Sequence, residues 1–185
     1  MGAGKSMDGH HCAIFPANGA NTPVEILESD TPLRVIERSL LTDSGGAGKK
    51  RGGLGRKMVV HVPDDKLSSP HPVTIAVQAG RFQYPPEGLF EGGPGSKALF
   101  IRNGELADPS GLTFAEPGDY VEFHSAGGGG YGSPFDRDPH EVAQDVQDGY
   151  VSLEKAREDY GVIITPDSLE VNEAETVAYR QQMRS

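Results

Sequence analysis

The sequence predicts an α+β fold: a mostly antiparallel β body with glycine-rich loops, followed by a helical C-terminal tail. Two observations carry that expectation. Glycine (25) and proline (14) make up about a fifth of the 185 residues. They fall in clusters without a repeat, which excludes collagen-like structure and favours turn-rich β structure. Short β-branched runs bounded by those clusters occupy residues 23–134, and beyond Pro134 the apolar period becomes helical. The expected division is an extended arm over 1–22, a β-rich body over 23–134 and a helical segment over 135–185.

Residues 1–22 show little apolar periodicity, so the arm is expected to lie across a partner or to move freely. From Pro23, Val24 and Ile26, then Leu33 and Val35, alternate with Glu25, Arg34 and Ile36 around a turn at Thr31-Pro32, which predicts short strands. Residues 58–62 and 73–77 predict two more. Residues 98–101 run into Asn103-Gly104, a hairpin signal, and residues 119–124 alternate Tyr120, Glu122 and His124 with Val121 and Phe123. In the tail, Asp138 is placed as an N-cap, with Pro139 at the first helical position and Glu141 completing a capping box. Val142 and Val146 lie one turn apart, and Gly149 ends the helix. Ser152 caps a second helix carrying Leu153, Ala156 and Tyr160, closed by Gly161. Residues 162–164 predict a short strand, and a last helix runs from Asn172, with Glu175 in its box, to about Gln182.

Composition narrows the function classes. A net charge of −10 and a pI near 5.0 disfavour a nucleic-acid or anionic-membrane surface. No stretch approaches the ~18 apolar residues of a membrane span, and no basic-then-apolar leader is seen, so a cytoplasmic location is expected. The single cysteine, Cys12, excludes a disulfide framework and suits a reducing compartment. One basic island opposes the acidic trend: Lys49, Lys50, Arg51, Arg56 and Lys57, with acidity concentrated after Asp136. Such polarity predicts a small protein that meets something larger.

Gly2-Ala3-Gly4-Lys5-Ser6 lacks the preceding strand, the earlier glycine and the following helix of a phosphate-binding loop, so nucleotide binding there is not expected. His10-His11-Cys12 are soft ligands in a row, but no partner recurs at metal-site spacing. No serine or cysteine nucleophile is paired with a base along the sequence. Three glycine-rich stretches remain, over 43–55, 92–96 and 127–132. Tight turns are one reading of them. The other is a contact surface in which backbone N–H groups approach a ligand closely, strongest at 43–55, where Lys49, Lys50 and Arg51 could hold a carboxylate or phosphate.

These stretches also carry a resemblance. Residues 21–28, Asp43-Ser-Gly-Gly-Ala-Gly48 with Arg51-Gly-Gly-Leu-Gly55, and Pro86-Glu-Gly-Leu-Phe-Glu-Gly-Gly-Pro-Gly95 resemble the hydantoinase B/5-oxoprolinase family. Pro117-Gly-Asp-Tyr-Val121 with Gly127 to Gly132, Asp136-Arg-Asp-Pro139, and the helical segments continue the resemblance in order to Arg184. It implies work alongside a hydantoinase A-like, ATP-using subunit, opening cyclic amides such as hydantoin, 5-oxoproline or a lactam. Related acetone and acetophenone carboxylases instead carboxylate ketones. In either case ATP generates a phosphorylated carbonyl or enol.

The resemblance covers only the C-terminal part of a hydantoinase B chain. The family's His/Asp metal site lies in the N-terminal part, so no metal ligand and no catalytic residue carries over. The expectation is a small, split subunit, inactive alone, whose partners are the hydantoinase A-like subunit and the remaining N-terminal hydantoinase B-like subunit. No nucleic acid and no membrane is expected as a partner. No cofactor is expected on this chain alone, with ATP, Mg and a divalent metal on the partners. A ketone-carboxylase subunit and a purely structural assembly module are the alternatives. Candidate substrate- or anion-contacting residues are Ser44, Gly45, Gly46, Gly48, Arg51, Gly52, Gly53, Gly92, Gly93, Gly95, Gly128, Gly129 and Tyr131.

Overall fold

The computed structural model describes residues 1–13, 22–64, 72–77 and 79–184. Helix α1 spans Val24–Asp30, and strands follow as β1 Arg34–Leu40, β2 Arg56–His61, β3 Val73–Ala76, β4 Leu99–Arg102, β5 Glu105–Leu106, β6 Leu112–Ala115 and β7 Tyr120–His124. A 3-10 turn at Pro134–Asp136 leads to α2 Pro139–Gln147, α3 Leu153–Glu158 and α4 Glu173–Arg184. The main sheet has the order β1-β2-β7-β4-β5, every pairing antiparallel, and β3 pairs with β6 apart from it. The α+β expectation holds.

Alternation sets the sheet's inner face. Val60, Phe100 and Val121 point one way and are buried, with Val62 and Ala115, against Ile75 and Val73 of β3. The outer face of β2 and β7 carries Lys57, Glu122 and His124. The β1 register shifts between Val35 and Glu37, so Val35 packs inward while Ile36 is left exposed. A second apolar core holds the helices together: Val142, Ala143, Val151, Ala156, Tyr160, Val162 and Ile164. Ala47, in the first glycine stretch, packs against that helical core.

Several expectations need correction. Val24 and Ile26 lie in a helix, not a strand. Leu27 N–H donates to Pro23 O, Thr31 Oγ1 closes the last turn on Leu27 O, and no residue of α1 is buried. Two apolar residues in three positions are too few for a period to decide. Residues 162–164 form only a single bridge, Ile164 to Val171, rather than a strand. Strand β6 was not foreseen, because its Leu112 and Phe114 face solvent and reverse the usual pattern. Asp138 does cap α2, accepting from His140 N–H at 2.9 Å. Glu141, however, turns to Lys50 and Arg137 instead of reaching back to close a capping box.

The N-terminal arm also differs from expectation. Residues 1–13 are bonded into the body: Gly53 N–H donates to Met1 O, Ala3 N–H to Gly129 O and Gly9 N–H to Arg51 O. An extended, glycine-rich segment needs no hydrophobic face when its backbone groups are paired by other glycine segments. The arm over 14–21 lies outside the described residues.

Candidate functional site

Four glycine segments leave the same end of the main sheet. Residues 43–48 follow β1, residues 51–55 lead into β2, residues 125–132 follow β7, and residues 92–96 precede β4. They therefore inherit the neighbour order of the strands and continue it beyond the sheet. Past the last ladder pair they bond in several directions, as a bundle. Gly46 N–H donates to Gly128 O (2.8 Å), while Gly46 O accepts from Gly52 N–H (2.9 Å). Gly128 N–H donates to Gly53 O, Gly93 N–H to Ala47 O (both 2.7 Å), and Gly130 N–H to Gly93 O (2.9 Å). Gly95 N–H reaches Pro86 O, and Lys50 and Tyr131 exchange both backbone bonds.

At most of these glycines, Gly93 excepted, the spacing admits no side chain. A Cβ on Gly52 would overlap Gly128 O, and one on Gly46 would overlap Gly93 O with Gly130 N only 2.7 Å away. Gly45, Gly48, Gly92 and Gly95 meet backbone just as closely. Gly129 accepts from the Ala3 amide at the bundle's edge. Ser44 is buried, and its hydroxyl donates to Leu41 O and accepts from Gly55 N–H (2.8 Å). All thirteen candidate residues thus fall in one body.

A buried ionic cluster ties the bundle to the helices. The Asp145 side chain is 8% exposed and lies between Arg51 (3.2 Å) and Arg137 (2.8 Å). Arg137 also makes a two-pronged pair with Asp8 at 2.8 and 2.9 Å and donates to Lys49 O. Asp8 in turn accepts from the Arg51 amide at 2.7 Å. Burial would raise the Asp8 carboxyl, but the hydrogen bond and charge of Arg137 outweigh it and hold it below the usual carboxylate range. Arg51 lies over the Tyr150 ring, 5.1 Å from its centroid, and His11 packs on the same ring at 4.8 Å. His11 Nδ1 accepts from Leu54 N–H at 2.9 Å, so that nitrogen is unprotonated. Burial, then the Arg51 charge, holds the imidazole below its ordinary value of 6.5.

Three cations of the basic island are engaged within the chain, while Lys49 is exposed. Arg51 is spent on Asp145, Lys50 on Glu141 at 3.4 Å, and Lys57 on Glu37 at 3.0 Å. Two of these pairs, Lys50–Glu141 and Arg51–Asp145, join the island to the acidic tail. Asp8, Arg137, Asp145 and Tyr150 were missed by sequence reasoning, since Asp8 and Arg137 are 129 residues apart and no motif joins them. Among the described residues, no group of three or more His, Cys, Asp or Glu side chains is arranged to hold a metal ion, and no helix is long and apolar enough to cross a membrane.

The glycine segments and the sheet they extend lie within residues 1–134, which match the family model for hydantoinase B/oxoprolinase. The chain belongs to that family. It is 36% identical, over 89% of its length, to the hydantoinase B-type subunit of a putative D-/L-hydantoinase from a Pseudomonas species, and spans 28% of that protein. It is 34% identical over 97% of its length to the beta subunit of caprolactamase from Pseudomonas jessenii, and spans 32% of it. The nucleotide-free structure of acetone carboxylase shares the fold, with a TM-score of 0.81 over 99% of this chain and 29% of that one, at 24% identity. The chain thus spans about a third or less of the length of each of these relatives.

Proposed function

We propose that this chain supplies one part of a hydantoinase B-type subunit in an ATP-dependent, multi-subunit enzyme that opens cyclic amides such as hydantoin, 5-oxoproline or a lactam. The observation supporting this reading is its similarity, over nearly its whole length, to the caprolactamase and hydantoinase subunits. Its partners would be a hydantoinase A-like subunit that uses ATP and the remaining hydantoinase B-like region. The glycine bundle suits a rigid wall. Its segments are fixed by mutual hydrogen bonds, so they can hold a surface in place without moving. The thirteen loop residues would then act by shaping that wall.

Lys50, Arg51 and Lys57 are paired within this chain, and among the described residues no group of His, Cys, Asp or Glu is arranged to hold a metal ion. In this reading ATP, magnesium and a divalent metal are held by the partner subunits. A ketone carboxylase is the second reading, favoured by the fold shared with acetone carboxylase. Reconstitution of the complex with and without this chain tests the proposal, using hydantoin, 5-oxoproline and caprolactam as substrates. ATP-dependent ring opening should vanish when the chain is omitted. Ring opening that survives omission would contradict the proposal, and carboxylation of acetone in its place would favour the second reading.

A further inference from the structure

We propose that the loop over residues 84–91 is the element through which this chain docks onto the rest of a hydantoinase B-type unit, with Leu89 and Phe90 entering an apolar socket rimmed by cations. This inference rests on the function proposed above and names where the missing part attaches. Three large apolar side chains stand exposed within seven residues: Tyr84 at 75%, Leu89 at 58% and Phe90 at 72%. Phe90 and the following Glu91 both hold left-handed backbone, with φ of 53° and 72°, a conformation that a bulky aromatic rarely adopts.

That geometry is imposed rather than accidental. Leu89 N–H donates to Gly130 O and Gly132 N–H to Leu89 O, both at 2.9 Å, while Gly92 N–H closes the turn on Leu89 O at 3.0 Å. The Phe90 ring leans on Tyr131, 5.0 Å between centroids. The bundle thus fixes an unfavourable turn whose visible result is to present an apolar pair to solvent, the pattern expected of a strained functional site. A strained, solvent-facing apolar pair needs a cover that the described residues do not supply.

The relatives indicate what the cover is. The chain spans 28% of the hydantoinase relative and 32% of the caprolactamase relative, so most of such a unit lies outside it. Charge narrows the choice further. Glu87 and Glu91 flank the apolar pair and are both exposed, which calls for a cationic rim. A second copy of this chain, with its own net charge of −10, fits poorly.

Hydroxyl-radical footprinting of the wild-type protein tests the proposal directly, comparing this chain alone with the unit that contains the remaining hydantoinase B-type region. Oxidation of Leu89 and Phe90 should fall sharply on assembly, while Leu106, 75% exposed on β5, stays unchanged. A Leu89→Ser/Phe90→Asn variant should assemble roughly 30-fold more weakly, as loss of an aromatic anchor implies. Asparagine tolerates left-handed backbone, so the variant should keep its fold, and Leu106→Ser should assemble normally. Assembly with both residues still fully oxidised would overturn the docking proposal and leave the functional reading standing. Burial of the loop in a self-dimer would overturn it as well. If no unit assembles at all, the functional reading fails and takes this inference with it.

Discussion

Asp145 sits between two guanidinium groups, and both arginine side chains are almost fully buried, at 4% and 2% exposed. Asp145→Asn takes the carboxylate away from the buried Arg51, while Arg137 keeps Asp8, and breaking a buried pair in this way costs about 3–5 kcal/mol. For a chain of this size that lowers Tm by roughly 6–20 °C. Glu141→Gln, at the exposed end of the same network, should cost less than about 1 kcal/mol. Thermal melts of the two variants check the ranking, and equal losses would contradict it. His11 carries a pH signature as well. Its folded value lies below 6.5, so the unfolded chain takes up its proton first as the pH drops. The His11 contribution is therefore complete above pH 6.5 and declines as the pH falls through the window down to the folded value. His11→Asn, which can still accept from Leu54 N–H, should flatten that part of the stability profile measured by urea titration. An unchanged slope would show that His11 is not responsible.

At the scale of elements, the glycine segments behave as a close-packed body in which backbone meets backbone. Gly52→Ala is expected to destabilise by about 3 kcal/mol, at the upper end of overpacking costs, because its Cβ would overlap the Gly128 carbonyl. Gly4→Ala meets nothing within 4 Å and should be neutral or stabilising by up to about 1 kcal/mol. Denaturant midpoints compare them, and a similar cost for both would deny the packing. Much of this was legible in the sequence. Asn103 and Gly104 form the expected turn with φ of 53° and 84°, and Gly149 ends α2 at φ 74°. Ser152 and Asn172 cap their helices as read. These signals are local, a residue type answering one backbone conformation. The joining of the glycine stretches was not legible, because no side chain records which bare segments lie side by side. Nor were the Asp8–Arg137 and Arg51–Asp145 pairs, which only the folded topology brings together.

At the scale of the whole molecule, the chain has two modest apolar cores with the glycine bundle running off the sheet between its elements. The strands, the bundle and the ionic cluster give it a fold of its own, while the catalytic apparatus is proposed to belong to the larger assembly. Its acidic character follows from composition, 27 Asp and Glu against 17 Lys and Arg. That this fold is one part of a hydantoinase B-type enzyme is tested most directly by native mass spectrometry of the untagged protein from its source. This sequence is expected in one particle with the remaining hydantoinase B-type region and an ATP-using, hydantoinase A-like subunit. The chain found only alone, or only with copies of itself, would contradict that assignment.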